Sequence, residues 1–104
     1  MRSVRILEEA TLEATEAASW YETERPGLGS EFFEAVDSAI DLIEEDILPL
    51  LPMPGKAGKR GAKRIILKRF PYDIVAIERP GEAVVIAVAH HSRKPGFWLR
   101  RLNP

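Results

Sequence analysis

The chain has 104 residues, of which 45% are hydrophobic and 30% charged, with a formal net charge of −1 and no cysteine. That length supports one core and no more, so the expectation is a single domain over residues 1–104, and the composition excludes disorder, which needs low hydrophobicity and high net charge. Zero cysteines exclude a disulfide framework, a thiolate metal site and a cysteine nucleophile; with no apolar leader and no membrane-length apolar run, a cytoplasmic protein away from membranes is expected.

"SVRIL", residues 3–7, alternates as a short strand with Val4 and Ile6 on one side. Ala10, Ala14, Ala17 and Tyr21 then recur at helical spacing, while Glu8, Glu9, Glu13, Glu16 and Glu22 lie largely off that line. "RPGLGS", residues 25–30, breaks this helix. Phe32, Phe33, Val36, Ile40, Ile43 and Ile47 mark a second, with Ser30 as its expected N-cap and Glu31 and Glu34 in its first turns. A loop this short makes the two an antiparallel hairpin. Residues 48–62, with their Pro and Gly, read as an exposed connection. "KRIILKRF", "YDIVAIER" and "EAVVIAVAHH" follow as three strands. "FPY" and "RPGE" are too tight for crossovers, so consecutive strands pair antiparallel; Pro then Gly in "RPGE" suits a type II turn. The expected class is α+β: a βααβββ domain with a mostly antiparallel sheet and a helical hairpin on one face.

The small net charge hides a large internal split. Residues 1–54 hold 3 Lys/Arg against 13 Asp/Glu, a balance of −10, whereas residues 55–104 hold 12 against 3, a balance of +9. Two readings follow: a basic face that attracts an anionic partner, or an acidic helical layer neutralising a basic sheet layer within the domain.

The combination of "WYE...PGLG..F", "RFPY" and "AVAHHSRKPGFW" resembles the RelE/ParE superfamily of toxins from bacterial type II toxin–antitoxin systems, the plasmid-stabilisation type, over nearly the whole chain. The resemblance implies a growth-arresting toxin held silent by a cognate antitoxin. Its target would be either DNA gyrase or the translating ribosome with its mRNA, and it implies no cofactor. The RNase members cleave mRNA by attack of a ribose 2′-OH on the next phosphate, without metal, using cations and proton-handling groups. Laid over that pattern, two strand lysines fall on Arg64 and Ile66, and an arginine falls on Asp73, directly after Tyr72. The late cation falls on His91, and the C-terminal tyrosine on Phe97, which can stack but cannot carry a proton.

Three candidate activities follow. One is a ParE-like toxin that binds gyrase or another protein. A second is a ribosome-dependent endonuclease using His91, Arg64 and Arg93. The third is an antitoxin-binding module without toxicity. Arg69, Lys94, Phe97 and Lys63 are the further candidates for contacting a target or nucleic acid, with aromatic and cations interleaved. The loop cations Lys56, Lys59 and Arg60 are solvated or steer a partner. "GKAGKRG" is no P-loop, because it follows no strand and lacks the Ser/Thr, and no HExxH-type metal set is present. His90 and His91 are adjacent on a strand, so their rings point to opposite faces. Extending Val84, Ile86 and Val88 places His90 with them, packed and hydrogen-bonded, and leaves His91 between surface function and plain exposure. Trp98 reads as a cap on the sheet, Phe97 as the more exposed ring.

Overall fold

In a computed structural model, residues 1–46, 49–94 and 96–102 are described; Ile47 of the second helical stripe and Pro95 of the "KPGFW" segment lie outside them, as do residues 48, 103 and 104. The elements in chain order are β1 (Ser3–Ile6), α1 (Glu8–Glu24), α2 (Leu28–Glu45), β2 (Leu51–Pro52), α3 (Gly55–Lys59), β3 (Ala62–Ile66), β4 (Tyr72–Arg79), β5 (Glu82–His90) and a 3-10 turn at Leu99–Leu102. The five strands form one sheet in the order β1-β5-β4-β3-β2. Only the β1–β5 pairing is parallel among these strands. The architecture is the α+β arrangement expected, with a helical hairpin on one sheet face.

Small residues let the hairpin close. Ala10, Ala14, Ala17 and Ala18 are buried on α1, and a Cβ added to Gly29 of α2 would stand 2.6 Å from the carbonyl oxygen of Ala18. Glycine is therefore required there by backbone proximity. The start of α2 departs from expectation: its N-cap is Gly27, at φ 88°, rather than Ser30. The cause is tertiary. The Glu22 carboxylate reaches across from α1 and accepts from the amides of Gly27 and Gly29, so a side chain of the preceding helix satisfies the free donors of α2. Phe32 then packs 5.2 Å from Phe70 and 5.0 Å from Tyr72, joining the hairpin to the sheet through edge-on aromatic contacts.

Residues 49–62 are more ordered than an exposed connection. Leu51 and Pro52 pair antiparallel with Arg64 and Lys63, and the short helix α3 buries Ala57. A Cβ on Gly58 would lie 1.7 Å from the Met53 carbonyl oxygen, so this glycine serves a close approach rather than flexibility. A second core thereby forms on the sheet face opposite the hairpin. Ala57, Ala62, Val75, Ile77, Val84, Ile86, Trp98 and Leu102 share it.

One irregularity decides the facing of the last strand. Val75 is opposite Ala87 while Ala76 is opposite Val85, so Ile86 is an extra residue on β5. Because of this bulge, Val84, Ile86, Ala87 and Ala89 all face the second core, whereas Ala83, Val85 and Val88 face the helices. Unbroken alternation through Val84, Ile86 and Val88 is thus corrected. Val88 belongs to the hairpin side.

Candidate functional site

The sheet face away from the hairpin carries a three-residue polar network. Arg64 on β3 is opposite Val75, and Asp73 on β4 is opposite Ala89 of β5, so Arg64, Asp73 and His91 are diagonal neighbours on one face. The Arg64 guanidinium donates to Asp73 Oδ2 at 3.1 Å, and His91 Nε2 lies 2.9 Å from Asp73 Oδ1. Each carboxylate oxygen therefore has its own cationic or imidazole partner. At 7% exposure Asp73 is the buried charged residue among those described, which is tolerable because both oxygens are engaged. The His91 amide also donates to the Pro71 carbonyl at 2.9 Å, so the backbone holds this ring one residue beyond the end of β5.

These residues line a cavity of about 210 Å³ with Arg93, Lys94, Phe97 and Met53. Trp98, 2% exposed, is part of its wall and of the second core. Phe97 is half-buried, and the Arg93 guanidinium carbon sits 3.7 Å from its ring centroid, with that of Arg101 at 5.4 Å. A stacked guanidinium keeps its in-plane N–H edge for carboxylate or phosphate, but it takes the ring face that a base would need. Phe97 is thus engaged by the chain's own arginine.

The expected cations separate into two groups. Arg64, Arg93 and Lys94 gather at the cavity with His91 and Phe97. Lys63 and Arg69 do not join them. Lys63 alternates to the hairpin side and pairs with Glu78, which also binds Arg2. Arg69 pairs with Glu31 of α2 at 2.5 Å and lies 5.2 Å from the Phe70 ring. Their partners lower both acids: Arg69 chiefly draws the half-buried Glu31 below its usual value, and Lys63 followed by Arg2 does the same for Glu78.

The two histidines diverge. His90 stands edge-on to Tyr72 at 4.9 Å, and its Nδ1 accepts from the Ser92 amide at 2.9 Å. That acceptance assigns the proton of a neutral ring to Nε2. Burial raises the Tyr72 pKa above its ordinary 10.0, with the neighbouring Tyr21 adding to the rise, so Tyr72 serves His90 as a neutral aromatic wall.

A further polar group escapes sequence reading. Glu13 of α1 accepts from the Val88 amide at 3.0 Å and from Arg101 at 3.1 Å, while Arg101 also donates to the Ile86 carbonyl at 3.0 Å. These are the outward-facing backbone groups of β5 beyond the end of β1. No local motif signals this, because Glu13 and Arg101 are 88 residues apart. Among the described residues no cluster of His, Asp or Glu is arranged to hold a metal, and no helix is long and apolar enough to cross a membrane.

No protein-family model matches the chain, and no curated protein matches it in sequence. Its fold does match a solved chain described as "Chromosomal ParDE TA system from P. aeruginosa". The TM-score is 0.72 at 12% identity, and the match covers 86% of this chain and 96% of that one. The fold is therefore ParE-like, as the resemblance implied.

Proposed function

We propose that this protein is the toxin of a type II toxin–antitoxin pair, silenced by a cognate antitoxin, which arrests growth by binding an essential cytoplasmic protein such as DNA gyrase. The ParE-like fold, shared over nearly the full length of both chains, supports the toxin class. The observation that carries the choice of binding over cleavage is the engagement of Arg64 and His91 by Asp73. RNA cleavage needs positive charge directed at the pentacoordinate phosphate, and the strand cation that the RNase pattern retains, Arg64, is neutralised here by a buried carboxylate 3.1 Å away. Phe97 provides no proton for a leaving oxygen.

One observation favours a second reading. Asp73 holds His91 Nε2 at 2.9 Å, as in a carboxylate–histidine pair, and the His91 side chain is 43% exposed, so its other ring nitrogen is available for acid–base work. That arrangement would serve a metal-independent, ribosome-dependent endonuclease acting with Arg93. Induction without antitoxin, with gyrase supercoiling and primer extension measured in parallel, separates the two. The expected result is growth arrest, inhibited supercoiling and no new 5′ ends on a translated message. New 5′ ends within codons that disappear in His91→Ala would overturn the binding reading in favour of the nuclease. Absence of growth arrest would leave the antitoxin-binding module.

A further inference from the structure

The cavity beside Asp73 has an excess of unspent positive charge. Neither Arg93 nor Lys94 forms an ion pair among the described residues, and the single acid on the lining, Asp73, is saturated by Arg64 and His91. Arg93 is also preorganised. Stacking on Phe97 fixes the guanidinium plane and leaves its N–H edge as a fork for two oxygens. Between the cations the wall is apolar, formed by Met53, Pro54, Val75 and Trp98.

Three features select the ligand class. A volume of about 210 Å³ falls below the ~300–1,000 Å³ of sites that enclose a small molecule, so the cavity suits one or two side chains of a larger partner. The ring face at which an RNA base would stack is covered by Arg93 at 3.7 Å. An anionic fork beside an apolar wall matches a carboxylate next to an aliphatic or aromatic side chain. We propose that this cavity docks a protein segment in which Asp or Glu neighbours an apolar residue, the carboxylate bound by Arg93 with Lys94 and the apolar side chain against Met53 and Pro54. This deepens the protein-binding reading above by naming the chemistry of the partner.

The test uses the full chain and fluorescence anisotropy with three probes. They are a short peptide alternating Glu with Leu, the same peptide with Gln in place of Glu, and a single-stranded RNA of equal length. The Glu–Leu peptide is expected to bind at least about tenfold more tightly than its Gln counterpart and than the RNA, and Arg93→Ala should remove about that factor. Arg93→Glu, tested with a Lys–Leu peptide as a fourth probe, supplies a gain-of-function control that an unfolded variant could not mimic, because it should transfer preference to that peptide. Tighter binding of RNA, or Glu–Leu affinity indifferent to Arg93, overturns the proposal. Growth arrest scored on the same variants keeps the two readings apart. In the natural chain, arrest without Glu–Leu peptide binding sinks this inference alone, while peptide binding without arrest sinks the toxin reading alone.

Discussion

Replacing Glu13 with alanine should be among the most damaging single changes outside the apolar core. The Glu13 and Arg101 side chains are 14% and 13% exposed, and Glu13 accepts from the Val88 amide as well as from Arg101. The bulge at Ile86 and the early end of β1 leave Val88 without a strand partner on that side. Glu13→Ala therefore strands one backbone donor, at about 1–3 kcal/mol, and one largely buried guanidinium, where breaking a buried pair costs about 3–5 kcal/mol. Arg101 keeps the Ile86 carbonyl and can turn toward water, so the sum is not reached. A loss of about 2–4 kcal/mol is expected, a large part of the ~5–15 kcal/mol available to a domain. With ~4–8 °C per kcal/mol at this size, Tm should fall by roughly 8–32 °C. Glu13→Gln keeps an acceptor for Val88 and should recover about half the loss. Urea denaturation gives the energies, and hydrogen exchange at the Val88 amide gives the location. A loss below about 0.5 kcal/mol, or unchanged exchange at Val88, would refute the reasoning.

Other expectations rest on different contacts. Gly29→Ala places a Cβ 2.6 Å from the Ala18 carbonyl oxygen, and since backbone cannot move aside cheaply, a loss of about 1–3 kcal/mol is expected in thermal denaturation. Asp73→Ala frees Arg64 and His91 of their shared carboxylate and should cost about 1–3 kcal/mol. The vacated guanidinium should then make Tm of the variant rise with inorganic phosphate more steeply than that of the natural chain. Glu78 titrates below its ordinary 4.5 because Lys63 and then Arg2 hydrogen-bond its carboxylate. A depressed folded value means that the unfolded chain takes up the proton first, so this stabilisation is complete above about 4.5 and is lost as pH falls through the folded value. Glu78→Gln should accordingly flatten the acid side of the stability–pH profile; an identical profile would count against the pairing.

Local chemistry made most of the frame legible. Ala10, Ala14 and Ala17 lie on the buried line of α1 as their spacing predicts, and Pro80-Gly81 turns the β4–β5 hairpin with Gly81 at φ 71°. What escaped depends on contacts between distant segments. Gly27 displaces Ser30 as the cap of α2 because Glu22 arrives from another helix. The glycines of residues 55–61 suggest a flexible loop, yet Gly58 is where the chain passes against Met53. The charge split resolves in part into neutralisation within the domain. Arg69 and Arg101 pair with Glu31 and Glu13 of the helical layer, while Arg93 and Lys94 form no ion pair among the described residues.

The histidine pair shows how a correct local rule can carry an incorrect extension. Alternation does set His90 and His91 on opposite faces, but counting back along β5 assigns the neighbours wrongly, because Ile86 is an extra residue. Without the bulge, Val88 would share a face with Val84 and Ile86. With it, Val88 packs under the hairpin, and His90 follows it to Tyr72. His91 is thereby left on the face of Ala87 and Ala89, within reach of Asp73. The same bulge presents the Val88 amide and Ile86 carbonyl to Glu13 and Arg101, and Arg101 in turn lies 5.4 Å from the Phe97 ring. Accommodating Ile86 as a bulge thus keeps His91, not His90, on the cavity face, and the ion pair formed on the backbone it turns outward anchors the segment that carries the cavity's aromatic wall. Deleting Ile86 should therefore do more than remove an apolar side chain. It would close the β4–β5 ladder without a bulge, leave His90 opposite Tyr72 as before, and take from Arg101 the Ile86 carbonyl to which it donates.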